Sequence, residues 1–377
     1  MTIHELPTPA LLIDAEILER NLKEMQDRAT RLGVSLRPHI KTHKCIEIGK
    51  KQQKLGGKGI TVSTFYEAEQ FAKAGFNDIT WAFPIPPVYA AQAVQLNEKI
   101  TFRVVIDSLE AKGHLDKAAR VAGKPIHVWL KVDCGYHRAG VDPKSKLAEQ
   151  LVRGLVESNV LEFGGILTHA GHSYHAKTRK EILVVAEQER SVMVDFAERM
   201  RSKSYRVPGV SIGSTPSMSV VEKLSGISEI RPGNYAFYDY TQAAIGACGV
   251  GDCALTVFSS VISHQPGASH FIIDAGALAL SKDLGPTHIR NDMELGILYE
   301  NYERKRLQSH IRLQSLSQEH GKVAASDPSF IEGKFKVGER VRILEHHSCL
   351  TAAQFDEYHV VRGEEVIDRW KILRGRS

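Results

Sequence analysis

The 377-residue sequence predicts an α/β protein, a (β/α)8 or TIM-like barrel followed by a second, C-terminal, mainly-β domain. From about residue 10 to residue 240, short apolar and β-branched runs alternate with stretches whose apolar residues recur at helical spacing. Beyond about residue 245 the pattern changes to strand-rich runs separated by turns. We therefore expect the barrel at residues 11–243. The β domain is expected to consist of residues 244–377 together with residues 1–10.

The barrel strands are predicted from eight short runs, each except the last with a helical stretch behind it. In chain order they are "VSLRPHIK", "GITVST", "DITWAFP", "ITFRVVID", "PIHVWLKVD", "EFGGILTHAG", "VPGVSIGS" and "ISEIRPG". A helix is also expected before the first run, from Glu16 to the glycine at position 33. An open, doubly wound sheet is the structural alternative, although no G-x-G-x-x-G opens a helix, as is usual in dinucleotide-binding folds.

The strands of the second domain are predicted from later runs of the same kind. They are "CALTVFSSVISHQ", "HFIIDAGALAL", "ERVRILEHH" and "EYHVVRGEEVIDRWKILR".

The composition is that of an ordinary globular protein, with 42% hydrophobic and 25% charged residues. The net charge of +5 is spread along the chain without a basic tract, so a nucleic-acid partner is not expected. Five cysteines without a C-x-x-C motif argue against a disulfide framework and favour the reducing cytoplasm. No run approaches the roughly 20 apolar residues of a membrane span, so no membrane partner is expected either.

Polar residues follow the predicted barrel strands where catalytic groups of such barrels lie, at the C-terminal strand ends. They are Lys41 at the end of the first strand, Thr168 and His169 at the end of the sixth, Ser214 and Thr215 at the end of the seventh, and Arg231 to Asn234 at the end of the eighth. Hydroxyls and free backbone N–H groups after strands seven and eight suit a phosphate. A lysine beside a phosphate site suggests a Schiff base with a phosphorylated aldehyde, pyridoxal phosphate.

Several segments, in order along nearly the whole chain, carry a family resemblance. They are "TPALLID", "RPHIKTHK", "VDCGYHRAGV", "GILTHAGHSY", "SIGSTPS", "EIRPGNY", "DAG" and "HSCLTAAQFDEYHVVRG". With them the chain resembles the pyridoxal-phosphate enzymes of the alanine-racemase fold, and more closely the D-threonine aldolase and D-serine dehydratase family. The resemblance implies a barrel that binds pyridoxal phosphate, a small D-amino acid as substrate, and a homodimer. It also implies that the first ten residues pair with the C-terminal domain.

The resemblance implies that Lys41 is the lysine that forms the Schiff base, with Lys44 as the rival position. Because side chains at i and i+2 share a strand face, His39 and Lys41 are expected to point the same way. Arg138 would reach the phenolic oxygen of the cofactor, with a loop arginine that holds a carboxylate as the alternative.

Further cofactor contacts are implied in the same way. His169 would lie against the pyridine ring, or else be a buried histidine with satisfied hydrogen bonds. Arg231 would face the pyridine nitrogen or brace its loop, and Tyr174 is a candidate hydroxyl on the substrate side. The phosphate would be held by Ser214, Thr215, Gly233 and Asn234.

A histidine and a cysteine lie two residues apart in "EHHSCLTA", on a predicted strand. His347 and Cys349 would then share one strand face, with His346 and Ser348 on the other. An imidazole and a thiolate together favour zinc over magnesium or calcium. The resemblance implies that the metal ligands differ between the branches of the family. The D-serine dehydratases bind zinc with histidine and cysteine, whereas the D-threonine aldolases have histidine and aspartate. Glu345 and His346 replace the proline–asparagine pair that is common before that histidine in the family, which leaves substrate preference open.

The sequence thus predicts a zinc- and pyridoxal-phosphate-dependent dehydratase that converts a D-3-hydroxy amino acid such as D-serine into a 2-oxo acid and ammonia. A D-threonine aldolase that forms glycine and an aldehyde is the nearest alternative, and an amino-acid racemase is the next. A pyridoxal-phosphate carrier protein without catalytic activity is the alternative from another class, although carriers resemble a single barrel without a second domain.

Overall fold

The computed structural model describes residues 1–289 and 294–375. These residues form two compact units, one made of residues 24–233 and 375 and the other of residues 1–23 and 234–374. The first is called the barrel unit below and the second the β unit.

The strands follow one another along the chain as β1 (Ala10–Asp14), β2 (Ser35–Leu36), β3 (Ile60–Val62), β4 (Asp78–Pro84), β5 (Thr101–Ile106), β6 (Ile126–Lys131), β7 (Leu161–Leu167), β8 (Gly209–Ile212), β9 (Glu229–Ile230), β10 (Leu255–Ser263), β11 (His270–Ile273), β12 (Ile297–Asn301), β13 (Arg306–Leu307), β14 (Ile311–Leu316), β15 (Gly321–Ala325), β16 (Arg340–Leu344), β17 (Glu357–Arg362) and β18 (Glu365–Lys371).

The α-helices are α1 (Ala15–Arg31), α2 (Ile46–Lys54), α3 (Phe65–Lys73), α4 (Ala90–Asn97), α5 (Leu109–Ala122), α6 (Lys146–Val156), α7 (Arg179–Ser202), α8 (Thr215–Val220), α9 (Tyr240–Ala244), α10 (Ala277–Leu280) and α11 (Ser348–Ala352). Short 3-10 helices lie at Ile3–Glu5, Pro87–Tyr89, Gly171–His175, Asn234–Ala236, Val250–Asp252 and Pro328–Phe330.

The barrel unit contains one sheet of eight strands in the order β2-β9-β8-β7-β6-β5-β4-β3, and every pairing is parallel. Just beyond β2, His39 bridges to Thr61 of β3, so the sheet closes on itself. Closure confirms the predicted barrel and excludes the open, doubly wound alternative. The helix α2 is the helix behind the first barrel strand, for which the sequence analysis gave no bounds.

The barrel helices begin where the sequence carries hydroxyl residues that cap a helix. The side-chain oxygens of Thr64, Ser108, Ser145 and Thr178 each accept a hydrogen bond from the backbone N–H three residues further on. Each such cap satisfies an N–H group that the helix itself cannot bond, and typically contributes about 1 kcal/mol. The strands between them are mostly apolar and buried because helices cover a parallel barrel from outside.

In the β unit the principal sheet has the order β13-β12-β16-β10-β1-β17-β18, and β11, β14 and β15 extend it from β10. The strand β1 is antiparallel to β10 and parallel to β17. The N–H of Ile3 also donates to the carbonyl of Glu364 over 2.8 Å. Residues 11–23, which were expected at the start of the barrel, therefore lie in this unit.

In one core cluster of the β unit, Leu12 of β1 packs with Phe258 and Val361. Strands β12 to β15 are short, and apolar and polar residues alternate over only a few positions in each. The sequence analysis did not assign them for this reason. Within the described residues, no helix is long and apolar enough to span a bilayer.

Candidate active site

Lys41 lies on the turn that follows the first barrel strand, not on the strand itself. The bridge of His39 to Thr61 is the last strand contact, after which the N–H of Lys44 bonds the carbonyl of Ile40 over 2.7 Å. The N–H of Lys41 lies 3.4 Å from Nδ1 of His39. The expectation that His39 and Lys41 share a strand face is therefore wrong, because the backbone has already turned at residue 40.

The two candidate lysines differ in their partners. The Lys44 amine forms an ion pair with Glu67, whose carboxylate is fully buried and also accepts the N–H of Ser63 over 2.7 Å. The amine of Lys41 is half-buried and forms no hydrogen bond or ion pair in the part of the chain that the structure describes. Lys41 is thus the amine that is available to a cofactor, whereas Lys44 secures the start of α3.

The interior around His169 is electropositive. Burial lowers the pKa of His169 well below its ordinary value, and the charges of Lys41, Lys131, Arg138 and Arg231 lower it further. Burial, with Arg231 and Arg138 nearby, also lowers the pKa of Lys131 to about 7. His169 is therefore a neutral imidazole near neutral pH. The surrounding excess of cationic groups suits an anionic ligand such as a phosphorylated cofactor.

Arg231 is buried and held by the barrel on both sides of its guanidinium group. Its Nη1 donates to Oγ of Ser211, and its Nη2 donates to the carbonyl of Thr168. The following glycine, Gly233, approaches the strand-one loop so closely that a Cβ atom there would lie 2.6 Å from the carbonyl oxygen of His39. The loop after β9 is therefore fixed against the segment that carries Lys41.

A cluster of buried hydroxyls lies at the beginning of α8. Oγ of Ser214 lies 2.7 Å from Oγ of Ser173 and 2.9 Å from Oγ of Ser217, and it also accepts the N–H of Ser217. Thr215, the first residue of α8, is buried beside them. Two of the expected phosphate contacts are thus brought together, and Ser173 and Ser217 join them without having been singled out in the sequence.

The loops after β6 and β7 bring aromatic rings together. The guanidinium of Arg138, which is exposed, lies 5.1 Å from the ring centroid of Tyr136, and that ring stacks on His172 with centroids 5.9 Å apart. Both ring nitrogens of His172 are buried and have no hydrogen-bond partner within residues 1–289 and 294–375. Tyr174 lies two residues further on, half-buried in the 3-10 helix Gly171–His175.

The sequence analysis missed a fully buried carboxylate in the barrel unit, Glu189. Its Oε1 accepts the N–H groups of Ala170 and Gly213 over 3.0 and 3.1 Å, which ties together the segments after β7 and β8. Burial raises the pKa of Glu189. A signal existed in the sequence, because position 189 continues the apolar face of α7 from Ala186 to Met193.

In the β unit, His347 and Cys349 lie on a turn between a strand and a helix. The strand β16 ends at Leu344, and His347 is the N-cap residue of α11 with φ −146° and ψ 94°. The prediction of a continuous strand is therefore wrong. The carbonyl of Glu345 accepts the N–H of Tyr240 over 3.1 Å, so the chain leaves the sheet ladder at that point.

The imidazole of His347 has two side-chain partners. Its Nδ1 lies 2.9 Å from Oδ2 of Asp283, and the ring also hydrogen bonds with Cys349. Burial acts to lower the pKa of His347, but Asp283 and Cys349 outweigh it and raise that pKa to about 11. Since Nδ1 is engaged by the carboxylate, a metal ion would bind at Nε2, in place of the proton that this nitrogen carries when the ring is charged.

A second carboxylate, Asp239, holds the backbone between the two candidate ligands. Its Oδ2 accepts from Nδ2 of Asn234 over 2.7 Å and from the N–H of Ser348 over 3.2 Å. Nδ2 of Asn234 also bonds Oγ of Ser348 over 2.9 Å and lies 4.0 Å from Sγ of Cys349. The side chain of Asn234, expected at the phosphate, is thus engaged beside the histidine–cysteine pair.

His346 and Glu345 differ from His347 in their surroundings. The ring of His346 stacks on Tyr240 with centroids 5.3 Å apart, and burial lowers its pKa to about 4. Both oxygens of Glu345 are buried without a hydrogen-bond partner among the described residues. The hydrogen bond from Asp283 goes to the ring of His347 and not to that of His346.

The donor set of the pair fits a zinc ion. An imidazole whose other nitrogen is held by a carboxylate, next to a thiol, is a combination that zinc prefers. Among residues 1–289 and 294–375, no three His, Cys, Asp or Glu side chains group as ligands of one ion. Two protein ligands leave coordination positions open, as in catalytic rather than structural zinc sites.

Two family profiles match consecutive parts of the chain. The profile described as "Alanine racemase, N-terminal domain" matches residues 13–241, and the one described as "Putative serine dehydratase domain" matches residues 254–361. The chain is also 39% identical to a D-serine dehydratase of Dictyostelium discoideum, over 98% of this chain and 97% of that protein. The chain belongs to the D-serine dehydratase family.

Two further comparisons extend the family around this chain. The D-threo-3-hydroxyaspartate dehydratase of Delftia sp. (strain HT23) is 36% identical over 99% of both chains, and its solved structure superposes with a TM-score of 0.93. A cysteine-to-alanine variant of a D-threo-3-hydroxyaspartate dehydratase, solved in a metal-free form, is 35% identical over the full length of both chains, with a TM-score of 0.92.

This member of the D-serine dehydratase family is therefore a lyase-family enzyme, and the family uses pyridoxal phosphate. The barrel unit fits that cofactor. It offers an amine without an ion-pair partner among the described residues at Lys41, a cationic interior around His169, and buried hydroxyls at the start of α8. The sequence alone had not pointed to Lys131, Glu189, Asp239 or Asp283.

Proposed function

We propose that the protein is a pyridoxal-phosphate- and zinc-dependent dehydratase of a D-3-hydroxy amino acid, forming a 2-oxo acid and ammonia. The observation that carries the proposal is the imidazole of His347, held by Asp283 through Nδ1 and paired with Cys349. The dehydratase relatives at 36–39% identity support the reaction class.

In the proposed reaction Lys41 binds the aldehyde of the cofactor and, after the substrate amine has displaced it, removes the α-proton. Pyridoxal phosphate, when bound, withdraws electrons from the α-carbon. Lys41 suits both tasks because its amine has no competing ion pair in the described chain, whereas Lys44 is committed to Glu67.

The remaining cofactor contacts are proposed from the same set of residues. Arg138 would bond the phenolic oxygen, neutral His169 would lie against the ring, and Arg231 would face the ring nitrogen. The phosphate would be bound by Ser214, Thr215, Gly233 and the backbone of Asn234. Tyr174 is proposed as a hydroxyl on the substrate side.

A dehydratase also needs a group that helps hydroxide to leave. His347 and Cys349 would hold a zinc ion, and a zinc ion supplies positive charge that stabilises a departing hydroxide without requiring a proton. His346 and Glu345 precede His347 in sequence. The His346 ring stacks on Tyr240, and both carboxylate oxygens of Glu345 are buried without a hydrogen-bond partner among the described residues, so these two residues are poorer candidates to assist the departing hydroxide.

The product distinguishes this proposal from its rivals. A panel of D-serine, D-threonine and D-threo-3-hydroxyaspartate should yield a 2-oxo acid and ammonia from at least one substrate, only when zinc is present. Glycine with an aldehyde would show an aldolase, the L-isomer a racemase, and no turnover a carrier. The relatives act on D-serine and on D-threo-3-hydroxyaspartate, so both belong in the panel.

We also propose a homodimer in the cytoplasm. Light scattering of the purified protein tests the dimer, and a fully active monomer would exclude it. Fractionation of cells that express the protein tests the location.

A further inference from the structure

Asp283 is fixed by its own turn before it reaches His347. Its Oδ1 accepts the N–H of Gly285 over 2.7 Å, which leaves Oδ2 for Nδ1 of His347 at 2.9 Å. Gly285 has φ +67°, and a Cβ atom there would lie 2.6 Å from Nδ1 of His346. The turn therefore needs a glycine, and its packing sets the direction of the carboxylate.

This geometry selects one state of the imidazole. A carboxylate accepts hydrogen bonds only, so Nδ1 must carry the proton and Nε2 must present its lone pair when the ring is neutral. A carboxylate behind a ligand histidine also increases the basicity of the nitrogen that binds the metal. Without that partner, the ring can rotate and exchange tautomers, and part of the population no longer offers Nε2.

We infer that Asp283 is the positioning residue that orients His347 for zinc and thereby sets the zinc affinity of the enzyme. The inference rests on the proposed function, because it takes His347 and Cys349 as the zinc ligands. It adds a residue 64 positions away in sequence that belongs to the metal site without touching the metal.

The test is a zinc dissociation constant for the full-length holoenzyme, measured by competition with a chromogenic chelator. Asp283→Ala should weaken zinc binding by about 10–100-fold, the usual effect of losing such a partner. Asp283→Asn should fall between wild type and Asp283→Ala, since the amide oxygen still accepts from Nδ1–H but carries no charge. Asp327→Asn is the control, because Asp327 is an exposed carboxylate of the same unit that only caps the 3-10 helix Pro328–Phe330.

A second readout separates positioning from a merely structural role. Zinc should raise the unfolding temperature of wild type by mass action, and Asp283→Ala should reduce that rise, measured from the metal-free unfolding temperature of the variant itself. In addition, 15N NMR of wild type should show His347 protonated at Nδ1 when zinc is bound. A drop of the metal-free unfolding temperature without any change in zinc affinity would mean that Asp283 only stabilises the fold, and would overturn the inference.

The outcomes separate the inference from the function on which it rests. If wild type binds zinc and Asp283→Ala binds it within twofold of wild type, the inference is wrong and the proposed zinc site survives. If wild type binds no zinc at all, the zinc part of the proposed function fails and the inference fails with it. A graded loss in the order wild type, Asp283→Asn, Asp283→Ala supports the inference.

Discussion

The barrel unit and the β unit hold their functional side chains in different ways. In the barrel unit the side chains follow strand ends and are secured by neighbours on adjacent strands, as Arg231 is by Ser211 and Thr168. In the β unit His347 and Cys349 leave the sheet at β16, and carboxylates from distant loops hold them. In a repetitive fold, the sequence period predicts the strand ends at which site residues lie. In an irregular turn, the positions of the side chains depend on distant partners that the local sequence pattern does not predict.

The largest expected effect separates the two lysines of the barrel unit. Lys41→Ala should lower dehydration by about 10⁴-fold, at the upper end of what a positioned base contributes, because the same residue also binds the cofactor. Borohydride treatment of wild type should attach the cofactor covalently to Lys41. Mass spectrometry of the labelled peptide identifies the modified residue. A label on Lys44 would contradict the assignment.

The matched change at Lys44 should affect stability instead of chemistry. Lys44→Met leaves the buried carboxylate of Glu67 without its cation, which typically costs about 3–5 kcal/mol in free energy of unfolding. Cofactor labelling at Lys41 should persist in whatever fraction of this variant remains folded. Urea unfolding and the same peptide analysis measure both properties.

The next largest effect concerns the β unit. Cys349→Ala should lower dehydration by about 10²–10³-fold, since a metal ion stabilises a leaving oxygen by several kcal/mol. The visible absorbance of the bound cofactor should remain, and chelation of wild type should have the same result. Cys349→Asp should shift the metal preference towards a harder ion.

His346→Ala is the comparison for that change, because the His346 ring stacks on Tyr240, whereas Asp283 hydrogen bonds the ring of His347. Its activity should stay within a few-fold of wild type. Full dehydration after chelation that metal analysis has verified would mean that zinc takes no part in the reaction.

The smallest expected effect is the pH dependence of the barrel unit. Nδ1 of His43 accepts the N–H of Cys45 over 3.1 Å, and Nε2 lies 3.3 Å from Oε1 of Gln52. Burial lowers the pKa of His43 from 6.5 to about 3. Between these pH values the imidazole of His43 is protonated in the unfolded chain but not in the folded chain. The contribution of the neutral imidazole to the free energy of unfolding is therefore complete above pH 6.5 and is lost as pH falls.

Between pH 6.5 and pH 5 this one histidine should cost about 2 kcal/mol in free energy of unfolding. His43→Gln should remove that part of the acid dependence, whatever it does to stability at pH 8. The exposed histidine at position 114 provides the control, because His114→Gln should leave the slope as it is in wild type. Equal slopes for wild type and His43→Gln, from urea unfolding at several pH values, would exclude the explanation.

The sequence by itself determined the barrel and the strand ends at which the candidate site residues lie. Strand and helix periods are local properties, hydroxyl caps mark helix starts, and parallel strands bring their C-terminal ends together. That logic reached Lys41, His169, Ser214 and Arg231. It failed at His347 and Cys349, where a strand was expected, because partners at Tyr240 and Thr241 draw the backbone out of the sheet.

Only the tertiary structure decided how the charged groups pair. Lys44 meets Glu67 across 23 residues, His347 meets Asp283 across 64, and Ser348 meets Asp239 across 109. A buried charge must find a partner or shift its pKa, but the sequence does not say which of many carboxylates will be close enough. That choice depends on the path of loops, and the loops follow from packing over the whole unit.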